Sequence, residues 1–214
     1  MKTLRVLLTG FEPFGNYKEN SSWAVAEKVA AFGFEGVYVT RLPVTFSGVA
    51  CALRRAVEEY RPDAVVMLGQ SALINYVKLE RIAINMMDSS SADNDGYLPD
   101  EEPIYPGGEA ALFTNTKIKE LCRAVVEQGI PAKVSNSAGL YVCNRLYYEA
   151  LQLCKEYTEM RALFVHLPLY DGQPMATVGK QTMPLGDMVK AIKTIIHKIN
   201  DTSTKIQETA FACF

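Results

Sequence analysis

The sequence predicts an α/β protein, a single α/β/α sandwich built on a mixed, largely parallel sheet. Short apolar runs at residues 4–9, 63–69 and 161–167 have the length and near-continuous hydrophobicity of strands covered on both faces. Between them lie segments with apolar residues at helical spacing, so strands and helices alternate along the chain. No repeat or linker divides the 214 residues, and 49% hydrophobic with 21% charged content is ordinary for one sizeable core. The expected domain covers residues 1–200, followed by a loosely ordered tail at 201–214.

The first strand breaks at Gly10 into a loop, Phe11-Glu12-Pro13-Phe14-Gly15, that carries two phenylalanines. Asn20 or Ser21 can cap a helix over residues 22–32. A second strand spans 36–42, ahead of Pro43. Ser47 opens a helix with Val49, Leu53, Ala56, Val57 and Tyr60 on one face, and Pro62 stops it. The third run, 63–69, leads into Gln70. Alternation over 77–85 predicts one half-buried strand. Residues 87–108 are rich in Ser, Asp, Pro and Gly without periodicity, and an internal loop of that length points to function. A helix at 116–128 is closed by Gly129 and Pro131. A short strand at 131–134 feeds the turn Ser137-Ala138-Gly139, and a helix starts at Cys143. The last strand, 161–167, ends at His166 and Pro168. An amphipathic helix covers 184–199.

In sheets of this type ligands sit beyond the carboxyl ends of the strands. The Phe11–Gly15 loop, Gln70, the turn before Cys143, and His166 all fall there. A thiol at a helix N-terminus feels the partial positive charge of the helix end, which favours thiolate. The same strand–turn–helix leaves backbone N–H groups free to face an oxyanion. The competing reading of Cys143 is a small buried hydrophobe. A cysteine nucleophile needs a base, and of the two histidines His166 is placed for it, whereas His197 reads as a solvated residue near a helix end. A third group should orient the imidazole. Glu80, in a half-apolar strand, fits that role; otherwise it is a surface residue or a partner for Arg81.

Composition excludes several classes. A net charge of -2 offers no footprint for nucleic acid. Five cysteines without C-x-x-C spacing suit a reducing, cytoplasmic setting better than disulfides or zinc, and two histidines exclude a His-rich metal site. No run is long enough to span a bilayer, and the N-terminal apolar run is too short for a signal peptide. No glycine-rich phosphate cradle appears, and no cofactor is expected.

Specific motifs add to this. LLTGFEPFG (7–15) and SNSAGLYVCN (135–144), with LPVTF (42–46), ERIAIN (80–85), DN-x-G (93–96), EPI-x-P (102–106) and FVHLP (164–168), resemble the pyroglutamyl peptidase type I family. The resemblance implies a cysteine peptidase with a Cys143–His166–Glu80 triad that acts on small peptides blocked by N-terminal 5-oxoproline. It also implies Phe11 and Phe14 as walls for the lactam ring and Asn20 and Gln70 as polar partners. Thr45, Tyr141 and Val142 complete that pocket, and the resemblance implies a homotetramer. Two stretches depart from the family pattern: Ser71-Ala72-Leu73-Ile74, where relatives carry A-G-G-R, and Ser90-Ser91, where they carry arginine and isoleucine. These are expected to weaken the pocket rim and lower efficiency. Two other readings stand beside this one: a thiol hydrolase of another N-acyl or cyclic amide, and a non-catalytic binding homologue.

Overall fold

The computed structural model describes residues 4–174 and 181–211, with side chains through residue 200. The central sheet has six strands in the order β2-β1-β3-β8-β4-β7. They are β1 (Val6–Phe11), β2 (Val37–Leu42), β3 (Ala64–Gln70), β4 (Val77–Glu80), β7 (Ala132–Ser135) and β8 (Arg161–Leu167). The first four in spatial order run parallel. β4 is antiparallel to β8 and parallel to β7, so the sheet is mixed and mostly parallel.

Alternation along each strand sorts the core into two layers. Val6 and Leu8 of β1, Val66 and Leu68 of β3, and Leu163 and Val165 of β8 pack beneath three helices, α1 (Ser21–Ala30), α3 (Ile118–Glu127) and α5 (Leu185–Phe211). Leu7, Val65, Met67 and Phe164 face the other way, against α2 (Gly48–Tyr60) and α4 (Val142–Glu156). Strands buried on both faces explain why their sequences show unbroken apolar runs rather than alternation.

Local chemistry sets the element ends near the site. Asn20 caps α1, its Oδ1 accepting from the Ser22 N–H at 3.0 Å, as the sequence predicts. Gly10 lies under the start of α1, where a Cβ would come within 2.8 Å of the Ser22 carbonyl oxygen and the Trp23 Cα. Only glycine lets the helix sit this close to the end of β1. Ser47 precedes α2 but makes no side-chain cap; the Thr45 Oγ1 accepts from the Gly48 N–H instead, at 3.2 Å.

Several expectations change. The single strand at 77–85 is two elements, β4 and then β5 (Ile82–Ile84), which leaves the main sheet to pair antiparallel with β6 (Ala111–Phe113). The break falls where β7 ends: the Arg81 N–H still bonds to the Ser135 carbonyl, and beyond it β4's partner on that side is gone. The side-chain period is 2 in both pieces, so the sequence carries no mark of the switch. The two-residue strands β9 (Leu169–Tyr170) and β10 (Thr182–Met183) pair with each other and are too short to leave a pattern. The final helix passes residue 200 and runs to Phe211, since residues 201–211 contain neither Pro nor Gly to stop it. Residues 212–214 of the expected tail lie outside the described residues.

Candidate active site

β1, β3 and β8 deliver their carboxyl ends to one side of the sheet, and α4 starts there. Cys143 is the second residue of α4, whose N-cap, Tyr141, supplies no side-chain cap, so the first-turn N–H groups are left for other partners. Asn144 fixes this turn. Fully buried, its amide accepts from the Ile84 N–H at 2.9 Å and donates to the Ile84 and Met86 carbonyls at 2.8 and 2.9 Å. The helix carrying the thiol is thereby tied to β5. Truncation would strand three buried or half-buried backbone groups at about 1–3 kcal/mol each. Asn144→Ala should therefore lower unfolding stability by at least about 3 kcal/mol and reduce activity with Cys143 still present; urea unfolding measures the first.

His166 comes from the end of β8 and Glu80 from the end of β4. The His166 Nδ1 and the Glu80 Oε1 are 2.8 Å apart, and Glu80 is completely buried. The antiparallel register sets Lys78 opposite His166 and Glu80 opposite Phe164, so all four side chains share one sheet face. The Lys78 Nζ lies 3.1 Å from the same Glu80 oxygen that bonds to His166. With Nδ1 committed to Glu80, His166 has Nε2 left for the cavity it lines together with Cys143.

Gly69 of β3 makes room for the Cys143 thiol. A Cβ there would meet the Phe164 ring at 2.8 Å and the Cys143 Sγ at 3.1 Å. An isolated glycine inside a strand is a sign of such close approach, and it is the signal by which this position could be read from sequence.

Burial pushes the Cys143 thiol from an ordinary 9.0 up to about 12; the nearby Glu80 carboxylate adds to this, while Lys78 and the residue's own backbone N–H oppose it. Desolvation therefore acts against the helix end, which favours thiolate. Burial likewise raises Cys154 to about 12. Above the ordinary thiol value the unfolded chain gives up these protons while the native chain keeps them. Stability is therefore intact below about pH 9 and falls as the pH rises towards 12. Thermal unfolding from pH 8 to 11 should show this fall, shallower in Cys154→Ala.

The cavity, about 290 Å³, is lined by eight of the ten residues expected from sequence. Cys143 and His166 sit on its wall with Phe11, Phe14, Tyr141 and Val142. Asn20 and Gln70 also line it, but their amides differ. The Asn20 amide is engaged, with Oδ1 accepting from Ser22 and Nδ2 donating to the Glu12 carbonyl at 2.9 Å, so it shapes the Phe11–Phe14 loop. The Gln70 Oε1 accepts from the Ser21 N–H at 2.8 Å and the Gln173 Nε2 at 2.7 Å. That leaves the buried Gln70 Nε2 without a hydrogen-bond partner among the described residues. Glu80 stands behind His166, outside the lining.

Thr45 is not brought to the cavity; its side chain is buried and holds the start of α2, and Val44 lines the wall instead. Ser90 and Ser91 are exposed and absent from the described lining, so these two departures do not alter the cavity wall itself. Ser71 does line the cavity, Ile74 is buried and Leu73 stands out in solvent. Lys78, Ala138 and Gly139 are lining residues that sequence reasoning missed. For Lys78 the clue was its i, i+2 spacing from Glu80 in a half-buried strand, which puts both on one face.

The long loop, 87–108, braces the aromatic wall. Asp93 accepts from the Phe46, Asp95 and Tyr97 N–H groups at 2.8–2.9 Å. The Asn94 Nδ2 donates to the Glu12 Oε1 and the Pro13 carbonyl, both at 3.0 Å, clamping the Phe11–Phe14 loop. Tyr141 donates to the Ala92 carbonyl at 3.1 Å and packs edge-on to Phe46.

A family model described as pyroglutamyl peptidase matches residues 4–202. The chain belongs to the pyroglutamyl peptidase family. Members of this family are cysteine hydrolases that remove N-terminal pyroglutamate, and this chain is an enzyme of that kind. It is 40% identical over 195 residues to the pyrrolidone-carboxylate peptidase of Thermococcus onnurineus, covering 90% of this chain and 97% of that one. The Clostridium perfringens pyrrolidone-carboxylate peptidase is 38% identical over 208 residues, covering 94% and 97%. Among solved structures, the pyrrolidone carboxyl peptidase of Fervidobacterium islandicum superposes with a TM-score of 0.87 at 34% identity, covering 93% of this chain and 99% of that one. Pyroglutamyl peptidase I of Bacillus amyloliquefaciens gives 0.85 at 31% identity, covering 91% and 95%.

Proposed function

We propose that Cys143, His166 and Glu80 carry out pyroglutamyl peptide hydrolysis through a thioester. The observation that carries this reading is the 2.8 Å His166–Glu80 bond behind a cavity that Cys143 and the His166 ring both line. The Cys143 Sγ–H gives its proton to the His166 Nε2, and the sulfur attacks the carbonyl carbon joining 5-oxoproline to the next residue. Glu80 holds the ring through Nδ1 and offsets the charge of the imidazolium. The oxyanion faces the N–H groups of Val142 and Cys143 at the uncapped start of α4. His166 then protonates the departing amine as the C–N bond breaks. Water attacks the thioester, its proton passes to His166, and the thiol leaves with 5-oxoproline as product.

The lactam is small, flat and amphipathic, matching an apolar wall of Phe11, Phe14 and Tyr141 with one aimed polar group. The orphaned Gln70 N–H is a donor suited to the lactam carbonyl. Such a donor rejects a proline ring, which lacks that oxygen and would leave the N–H buried and unpaired. The test is turnover of a chromogenic pyroglutamyl amide beside prolyl and alanyl amides. Turnover of the first alone is expected, and equal turnover of the prolyl amide would overturn the reading.

We also infer a cytoplasmic homotetramer. Free cysteines at 51, 122, 143 and 154 and the exposed Leu73, Leu98 and Phe113 support this. Light scattering checks the assembly; a monomer at micromolar concentration would contradict it.

A further inference from the structure

Lys78 carries the one fixed charge on the described cavity wall. It lies on β4, opposite His166, one i, i+2 step nearer the open end of the site than the buried Glu80. Its side chain is 21% exposed while that of Glu80 is 0%, so the ammonium sits between the triad carboxylate and the cavity. One donor is spent on the Glu80 Oε1 at 3.1 Å. An ammonium has three donors, so two remain.

The strand order gives this charge a direction. Phe11 ends β1 and Gln70 ends β3; next in the sheet comes β8 with His166, then β4 with Lys78. Under the proposed function the lactam binds at the β1–β3 side, and His166 meets the scissile amide in the middle. What leaves therefore departs on the β4 side, where Lys78 stands. An uncharged leaving residue gives this ammonium nothing in exchange for the water it displaces, whereas a carboxylate gains a charge-assisted bond at a partly shielded site.

We propose that Lys78 is a specificity-determining residue that favours pyroglutamyl substrates whose leaving residue bears a carboxylate. The inference rests on the reading of the site given above. The carboxylate has two sources, the side chain of an acidic residue after 5-oxoproline or the free C-terminus of a dipeptide. Both present the same chemistry to Lys78.

The experiment compares kcat/KM for matched pairs on the wild-type enzyme at low salt. Pyroglutamyl-glutamate amide against pyroglutamyl-glutamine amide isolates the side chain, and pyroglutamyl-alanine against its amide isolates the terminus. At least one pair should favour the carboxylate by roughly fivefold to tenfold, and the preference should shrink in 0.5 M salt, where the Debye length is only about 4 Å. The pair that responds identifies the source. Lys78→Met should bring that ratio to about 1 whatever happens to the absolute rate, and Lys78→Arg should restore most of it. Cleavage of all four substrates without discrimination would overturn this proposal and leave the hydrolytic reading standing, as would an unchanged ratio in Lys78→Met. Failure to cleave any of the four would overturn both.

Discussion

Replacing Cys143 with alanine should abolish hydrolysis of a pyroglutamyl amide and leave the fold essentially intact. Under the proposed reading Cys143 is the nucleophile: Ser71 also lines the described wall, but no base among the described residues is bonded to it, whereas His166, held by Glu80, shares the wall with the thiol. Loss of the covalent route is worth on the order of 10⁴-fold or more in rate. The structural cost is small because the thiol sits beside Gly69 at the cavity wall and supports no hydrogen-bond network comparable to that of Asn144. Activity and thermal unfolding should be measured on the same preparation. A folded alanine variant with wild-type kcat/KM would remove Cys143 from the mechanism.

The second large effect belongs to the base. Burial pushes the Cys143 thiol up, so under the proposed mechanism His166 is needed to make the thiolate. His166→Ala should lower kcat by several orders of magnitude, on the order of 10³–10⁴. Glu80→Gln should cost less, on the order of 10², since it can still orient the ring but no longer offsets the imidazolium charge. His197→Ala should leave kcat and KM unchanged. Its ring stands exposed on α5, edge-on to Phe34 at 5.5 Å, in the layer opposite α4. If the two histidine variants lose activity equally, the assignment of His166 as base is wrong.

The sequence alone determined the layers of the fold and the chemical set. Unbroken apolar runs mark β1, β3 and β8 because these strands are covered on both faces, and helical spacing marks the elements that cover them. The candidates Cys143, His166 and Glu80, which the structure brings together, stood out because each is an odd residue for its local setting: a thiol after a small-residue turn, a histidine at a strand end, a carboxylate in an apolar strand. Motifs resembling the family added their substrate.

Tertiary structure decided the rest. Whether Thr45 or Val44 lines the cavity is not written in the motif: the Thr45 hydroxyl bonds to the Gly48 N–H at the start of α2, and Val44 is left on the wall. Ser90 and Ser91 follow the same rule: a motif position tells where a residue falls in the chain, not whether the loop turns it inward. The thiol's surroundings were hidden for a related reason. A helix N-terminus is visible in sequence, but the burial beside Gly69 that pushes the thiol up is not. The placing of Lys78 and Glu80 beside His166 needed the antiparallel register of β4 on β8, which no local pattern encodes, because strand order is fixed by contacts between residues far apart in the chain.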